Sequence, residues 1–186
     1  MLNKQRFIKS ALGLTLLSAA TFASAATTVQ GGTVHFTGQI VNAACAVSAD
    51  SMNQTVNMGQ YRTALFTAVG TYSNEIPFTI KLEDCDTSVS TTAAVAFSGN
   101  ADSQDNTVLT VSNIGGGASG AASGVGIEIK DHAGQVIKPD GSVFSTPHTL
   151  IDGHNVLNFK ARYKSTNATV TPGAADADAT FQMQYN

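Results

Sequence analysis

Gly173-Ala174-Ala175-Asp176-Ala177-Asp178-Ala179-Thr180-Phe181-Gln182-Met183-Gln184-Tyr185 stands almost at the end of the chain. Its odd positions, Gly173, Ala175, Ala177, Ala179, Phe181, Met183 and Tyr185, are small or apolar, and every even position but Ala174 is polar. Side chains of an extended backbone alternate between two faces, so the segment reads as a strand with one buried face. Small residues early and large ones late imply a face with room at one end. After Pro172 there is no further Pro, Lys or Arg, so the strand carries few of the devices that guard an exposed edge. Such an edge invites a partner strand. Periodicity alone fits the last strand of a closed sandwich equally well.

Upstream, the same period recurs in short runs. Ile76 to Leu82 alternates, with Pro77 favouring an edge or a strand start. Ala93 to Phe97 is a buried-strand candidate, followed by Val108 to Val111 and Val125 to Ile129. Pro139-Asp140-Gly141 is a turn, and Asp152-Gly153 precedes a strand whose Leu157, Phe159, Ala161 and Tyr163 share one face. Many short strands without a long helical period predict an all-β sandwich. Gly115 to Gly124 holds a formal G-x-G-x-x-G at Gly115, Gly117 and Gly120. A dinucleotide site needs a helix to open there. The strand pattern of Val125, Ile127 and Ile129 follows instead, so the stretch reads as a flexible surface loop.

At the other end, residues 1–25 have the layout of a secretory signal: Lys4, Arg6 and Lys9, an apolar run from Ala11 to Phe22, then Ala23-Ser24-Ala25. Cleavage is expected between Ala25 and Ala26, leaving 161 residues, enough for one domain. Setting the three signal bases aside leaves seven basic against thirteen acidic residues, a net charge of −6. That balance argues against nucleic acid and anionic membranes as partners, since phosphate binding needs clustered Lys and Arg. No second long apolar stretch follows, so no membrane insertion of the remaining chain is expected. Export to an oxidising compartment makes one structural disulfide between Cys45 and Cys85 the economical reading.

Chemistry is hard to find. His35, His132, His148 and His154 form no tight metal-binding spacing, and no G-x-S-x-G elbow is present. Asp84 and Asp86 flank Cys85 and read as solvated ends of a tethered strand. No catalytic residue, metal or cofactor is expected, and the protein reads as a non-enzyme. A second alternating run does stand out, where Gly32, Val34, Phe36, Gly38 and Ile40 alternate with Thr33, His35, Thr37 and Gln39.

These pieces together resemble the chaperone–usher pilins, and in particular the major (shaft) subunit of type 1 fimbriae. The resemblance rests on Ala26 to Phe36, Val41-Asn42-Ala43-Ala44-Cys45, Asp84-Cys85-Asp86, Ala93 to Phe97, and Pro172 to Phe181. It rests also on a glycine fourteenth from the end, Gly173, with a penultimate tyrosine, Tyr185. The resemblance implies an immunoglobulin-like β-sandwich that lacks its last strand and is completed by a donor strand from a neighbouring subunit. Residues 26–40 would be that donor extension, with Val34, Phe36 and Ile40 as anchors and Gly38 as the close-approach glycine. Residues 41–186 would be the pilin domain, with Gly173 to Tyr185 as one groove wall. The implied partners are identical subunits, a periplasmic pilus chaperone, an outer-membrane usher and minor tip subunits. The implied location is a cell-surface fimbria reached through the periplasm. A minor or tip-adapter pilin and a secreted carbohydrate-binding sandwich are the alternative readings.

Overall fold

A computed structural model describes residues 27–116, 118 and 120–186. The expected signal and its Ala25–Ala26 junction lie outside the described residues. The chain divides into two compact units, Met1–Gln39 and Ile40–Asn186. In the first unit, described residues 27–39 form no helix or strand and are exposed.

The second unit is nearly all β. In chain order its elements are β1 (Ala46–Val47), one helical turn α1 (Ala49–Met52), a 3-10 turn (Thr63–Leu65), β2 (Ile76–Cys85) and β3 (Thr92–Gly99). They continue with β4 (Leu109–Thr110), β5 (Val125–Asp131), β6 (Val136–Ile137), β7 (His148–Thr149), β8 (Gly153–Ser165) and β9 (Ala179–Tyr185). One sheet runs β1-β2-β8-β5-β4 with β6 on β5, and the other runs β7-β3-β9. All of these pairings are antiparallel.

β8 shows why the sequence makes this fold. Asn155, Leu157, Phe159, Ala161, Tyr163 and Ser165 are buried, and the residues between them are not. Its apolar face meets Ile80 and Leu82 of β2, Ile127 and Ile129 of β5, and Val95 and Phe97 of β3 in one core. Phe97 and Phe159 meet edge to face at 5.4 Å, which joins the two sheets at the centre. Pro77 sits at the second residue of β2, beyond the reach of β1, which pairs only with Leu82 and Glu83. Its missing N–H therefore leaves no gap in the ladder.

The outer face of β8 carries charge that the core cannot take. Glu75 receives Lys130 at 2.9 Å and Lys160 at 2.8 Å. Glu128, only 2 % exposed, is held by Arg162 at 2.6 Å, and the Arg162 guanidinium lies 3.5 Å from the centre of the Tyr72 ring. Hydrogen bonds from Lys130 and Lys160 hold the Glu75 carboxyl at about 2, against an ordinary 4.5.

The disulfide between Cys45 and Cys85 is present, and both residues are buried. It fixes the segment that begins the sandwich to the end of β2. Asp84, beside it, adopts φ 51° where the β2–β8 register shifts, and Asp84 and Asp86 are exposed.

Two tests follow. Replacing Cys45 and Cys85 by serine frees a 40-residue loop in the unfolded chain. It should lower stability by about 4 kcal/mol, read as a fall in the denaturant midpoint. Because the folded pKa of Glu75 lies below its unfolded value, its contribution is complete above about pH 4.5 and is lost as pH falls towards 2. Glu75→Gln should therefore unfold more easily than the parent chain at pH 7, and the difference should vanish near pH 2.

Candidate groove and its open edge

The last strand is where the sheet stops. β9 pairs with β3 on one side, from Ala93 opposite Tyr185 to Gly99 opposite Ala179. It has no partner strand on its other side among the described residues. Thr92 and Asn186 exchange both backbone bonds, at 2.9 and 3.0 Å. In an antiparallel ladder such pairs alternate with unbonded ones. Gln184, Gln182 and Thr180 therefore bond to β3, while Tyr185, Met183, Phe181 and Ala179 turn their N–H and C=O groups to the open edge. The same odd residues carry the apolar face. Phe181, Met183 and Tyr185 are half-buried against the core, whereas Gln182 and Gln184 are exposed.

Beside this edge lies a cleft of about 620 Å³. Residues 54–59 form one wall and Ala175 to Ala179 with Phe181 the other. Its floor is the sandwich interior itself, including Phe78, Ile80, Phe97, Ile127, Ala161 and Tyr163. An apolar slot that reaches the start of an unpaired strand can do two things chemically: take up apolar side chains, and extend the backbone ladder by one strand. Among the described residues no group of three His, Cys, Asp or Glu is placed to hold a metal ion.

Two tyrosine hydroxyls in this region bond backbone carbonyls. The Tyr163 hydroxyl donates to the Ala175 carbonyl at 2.8 Å, tying β8 to the chain that leads into β9. Burial raises its pKa, with Asp176 and Tyr61 adding to the effect, so it stays a protonated donor. At the far end the Tyr185 hydroxyl donates to the Cys45 carbonyl at 3.3 Å, and burial raises this phenol as well.

The expected wall from Gly173 to Tyr185 is only partly a regular strand, since β9 begins at Ala179. Before it, the chain trades β3 for a different neighbour. Asp176 exchanges backbone bonds with Ser112 at 2.7 and 3.0 Å, and the Ala122 N–H donates to the Ala174 carbonyl at 2.7 Å. Gly173 makes this approach possible, because a Cβ there would stand 2.5 Å from the Ala121 carbonyl carbon. The stretch read as a flexible loop, Gly115 to Gly124, is thus tied down over residues 120–123 by the chain before β9. At Gly124 a Cβ would meet the Thr169 carbonyl oxygen, so this glycine serves close backbone packing, a use that composition does not distinguish from flexibility.

Of the expected donor residues, Val34, Phe36 and Ile40 are 74 %, 92 % and 103 % exposed, and nothing lies within 4 Å of the position a Cβ would take at Gly38. The wall at residues 54–59 escaped the sequence reading. Only Val56 and Met58 alternate there, among Asn, Gln and Thr, and two apolar positions are too short a run to announce a strand.

Comparison with known proteins places this architecture. The family model described as fimbrial protein matches residues 34–186. An uncharacterised fimbrial-like protein of Escherichia coli K12, SfmA, is 52 % identical over 98 % of this chain and 99 % of its own length. The type 1 fimbrial subunit of Salmonella typhimurium is 55 % identical over 84 % of each chain. Among solved structures, the P pilus rod subunit PapA is 28 % identical, with a TM-score of 0.65 over 77 % of this chain and all of its own. A chaperone–usher pilus subunit reaches 0.67 at 30 % identity, over 87 % of this chain and all of that one. The sandwich is therefore immunoglobulin-like, of the kind these pilus subunits share, and the family is one of structural fibre proteins rather than of enzymes. Among the described residues no helix is long and apolar enough to cross a membrane. The chain belongs to the fimbrial protein family and is a structural subunit of a surface fimbria, built to polymerise with other subunits.

Proposed function

We propose that this chain is the shaft subunit of its fimbria and polymerises by donor-strand exchange, the extension at residues 26–40 of one copy filling the groove of the next. The observation that carries this reading is the open edge of β9 beside an apolar cleft whose floor is the core. A segment elsewhere in the same chain has the matching pattern: it is extended in register terms, uncharged, and presents Val34, Phe36 and Ile40 to solvent.

The energetics suit a fibre. Removing each large anchor from water contributes on the order of 1.5–3 kcal/mol, and several anchors act together. From Val34 to Ile40 the strand spans about 20 Å at the usual rise per residue, comparable to β9 itself. The ladder bonds give direction, and alternation gives register, since a one-residue slip would turn Thr33, His35, Thr37 and Gln39 into the core. Gly38 lets the strands approach where a side chain would hold them apart.

A free groove of this kind also explains the need for helpers. An unpaired edge and an open core invite aggregation. A periplasmic chaperone covering the groove with its own strand, and an outer-membrane usher where the next extension replaces it, meet that requirement. Minor tip subunits would join through the same joint.

Phe36→Asp places a charge in the apolar slot. It should leave export and chaperone capture intact while abolishing surface fibres, seen by electron microscopy of intact cells. Normal fibres from this variant would overturn the assignment of residues 26–40 as the donor.

A further inference from the structure

Alternation of side chains excludes a slip of one residue, but it is blind to a slip of two. A donor shifted by two still points Val34, Phe36 and Ile40 inward. Something other than periodicity must end the ladder. The groove has a candidate in Tyr163, a core residue of β8 that no part of the polymerisation scheme yet uses.

Asp176 is in phase with the bonded positions of β9, through its double exchange with Ser112. The Ala175 carbonyl therefore points away from Ser112, as those of Ala179, Phe181 and Met183 point away from β3. Unlike them, it is already occupied, by the Tyr163 hydroxyl at 2.8 Å. Tyr163 is 8 % exposed, is held by an edge-to-face contact with Tyr61 at 5.7 Å, and reaches Ala175 from the floor of the cleft. A donor N–H approaching Ala175 would have to share the carbonyl with this hydroxyl or displace it and leave it without a partner, and either is less favourable than bonding a free carbonyl.

We infer that Tyr163 is a positioning residue for subunit joining: its hydroxyl terminates the open edge at Ala175 and so selects one register of the inserted strand over the register displaced by two residues. This rests on the donor-strand reading above. Tyr163 touches no bond that breaks or forms in assembly; it acts by denying the incoming strand one ladder position.

The test uses full-length chains assembled into fibres on cells. Cysteine replaces Thr37, on the outward face of the extension, and in separate chains Asp178, Thr180, Gln182 or Gln184 on the outward face of the β9 wall. Oxidised fibres are then denatured, and cross-linked ladders are read on a gel. In the parent background one of the four positions should give nearly all of the ladder. With Tyr163→Phe, which keeps the ring and its contact with Tyr61, the position two residues away should rise roughly fivefold, the weight of one hydrogen bond. An unchanged single position in Tyr163→Phe would overturn the role given to the hydroxyl while leaving donor-strand joining intact. Intact fibres with no cross-link at any of the four positions in the parent background would overturn the donor-strand reading itself, and this inference with it.

Discussion

The rest of this structure depends on an antiparallel ladder that, among the described residues, is left open along β9. The register between β3 and β9 sends every second backbone group of β9 away from the sheet. Backbone N–H and C=O groups are obligatory hydrogen-bonding groups, and a strand edge left open beside an apolar slot is a demand for another strand. A compact monomer normally meets that demand itself. Here the backbone groups of Asn186, next after β9, go to Thr92 of β3 and to the adjoining Thr91, on the side already paired.

The rest of the structure makes that open edge rigid and well defined. The Cys45–Cys85 disulfide anchors the start of the sandwich, and the aromatic contacts among Phe78, Phe97 and Phe159 lock the two sheets behind the slot. Outside, the Glu75 and Glu128 ion pairs tie β8 and β5 to the segment before β2. Gly124 and Gly173 let two backbones meet, and the bonds of residues 120–123 hold the chain that leads into β9. If a neighbour's strand fills this groove, a preformed acceptor keeps the ordering cost of each addition low.

Much of this was legible in the residues. The alternation at Leu157, Phe159, Ala161 and Tyr163 specifies a strand with one buried face, and β8 is that strand. The C-terminal alternation likewise gives β9 and the correct face of Phe181, Met183 and Tyr185. What stayed hidden is whatever depends on contacts distant in sequence. Residues 54–59 form a groove wall with only two apolar positions to mark them. The Ser112–Asp176 and Ala122–Ala174 pairings make β9 begin later than its alternation suggests, because period two records which side a residue faces and not which strand lies beside it. The Tyr163 hydroxyl has no sequence signature either; only the fold brings it to Ala175.

Amide hydrogen exchange on intact fibres tests the central claim most directly. If a neighbour's strand completes the ladder, the amides of Ala179, Phe181 and Met183, which face away from β3, should exchange as slowly as those of Ala94 and Ala96 in the middle of the sheet. If these three exchange at the rate of an unpaired edge while Ala94 and Ala96 remain protected, the groove is not filled by a paired strand, and the subunits are joined in some other way.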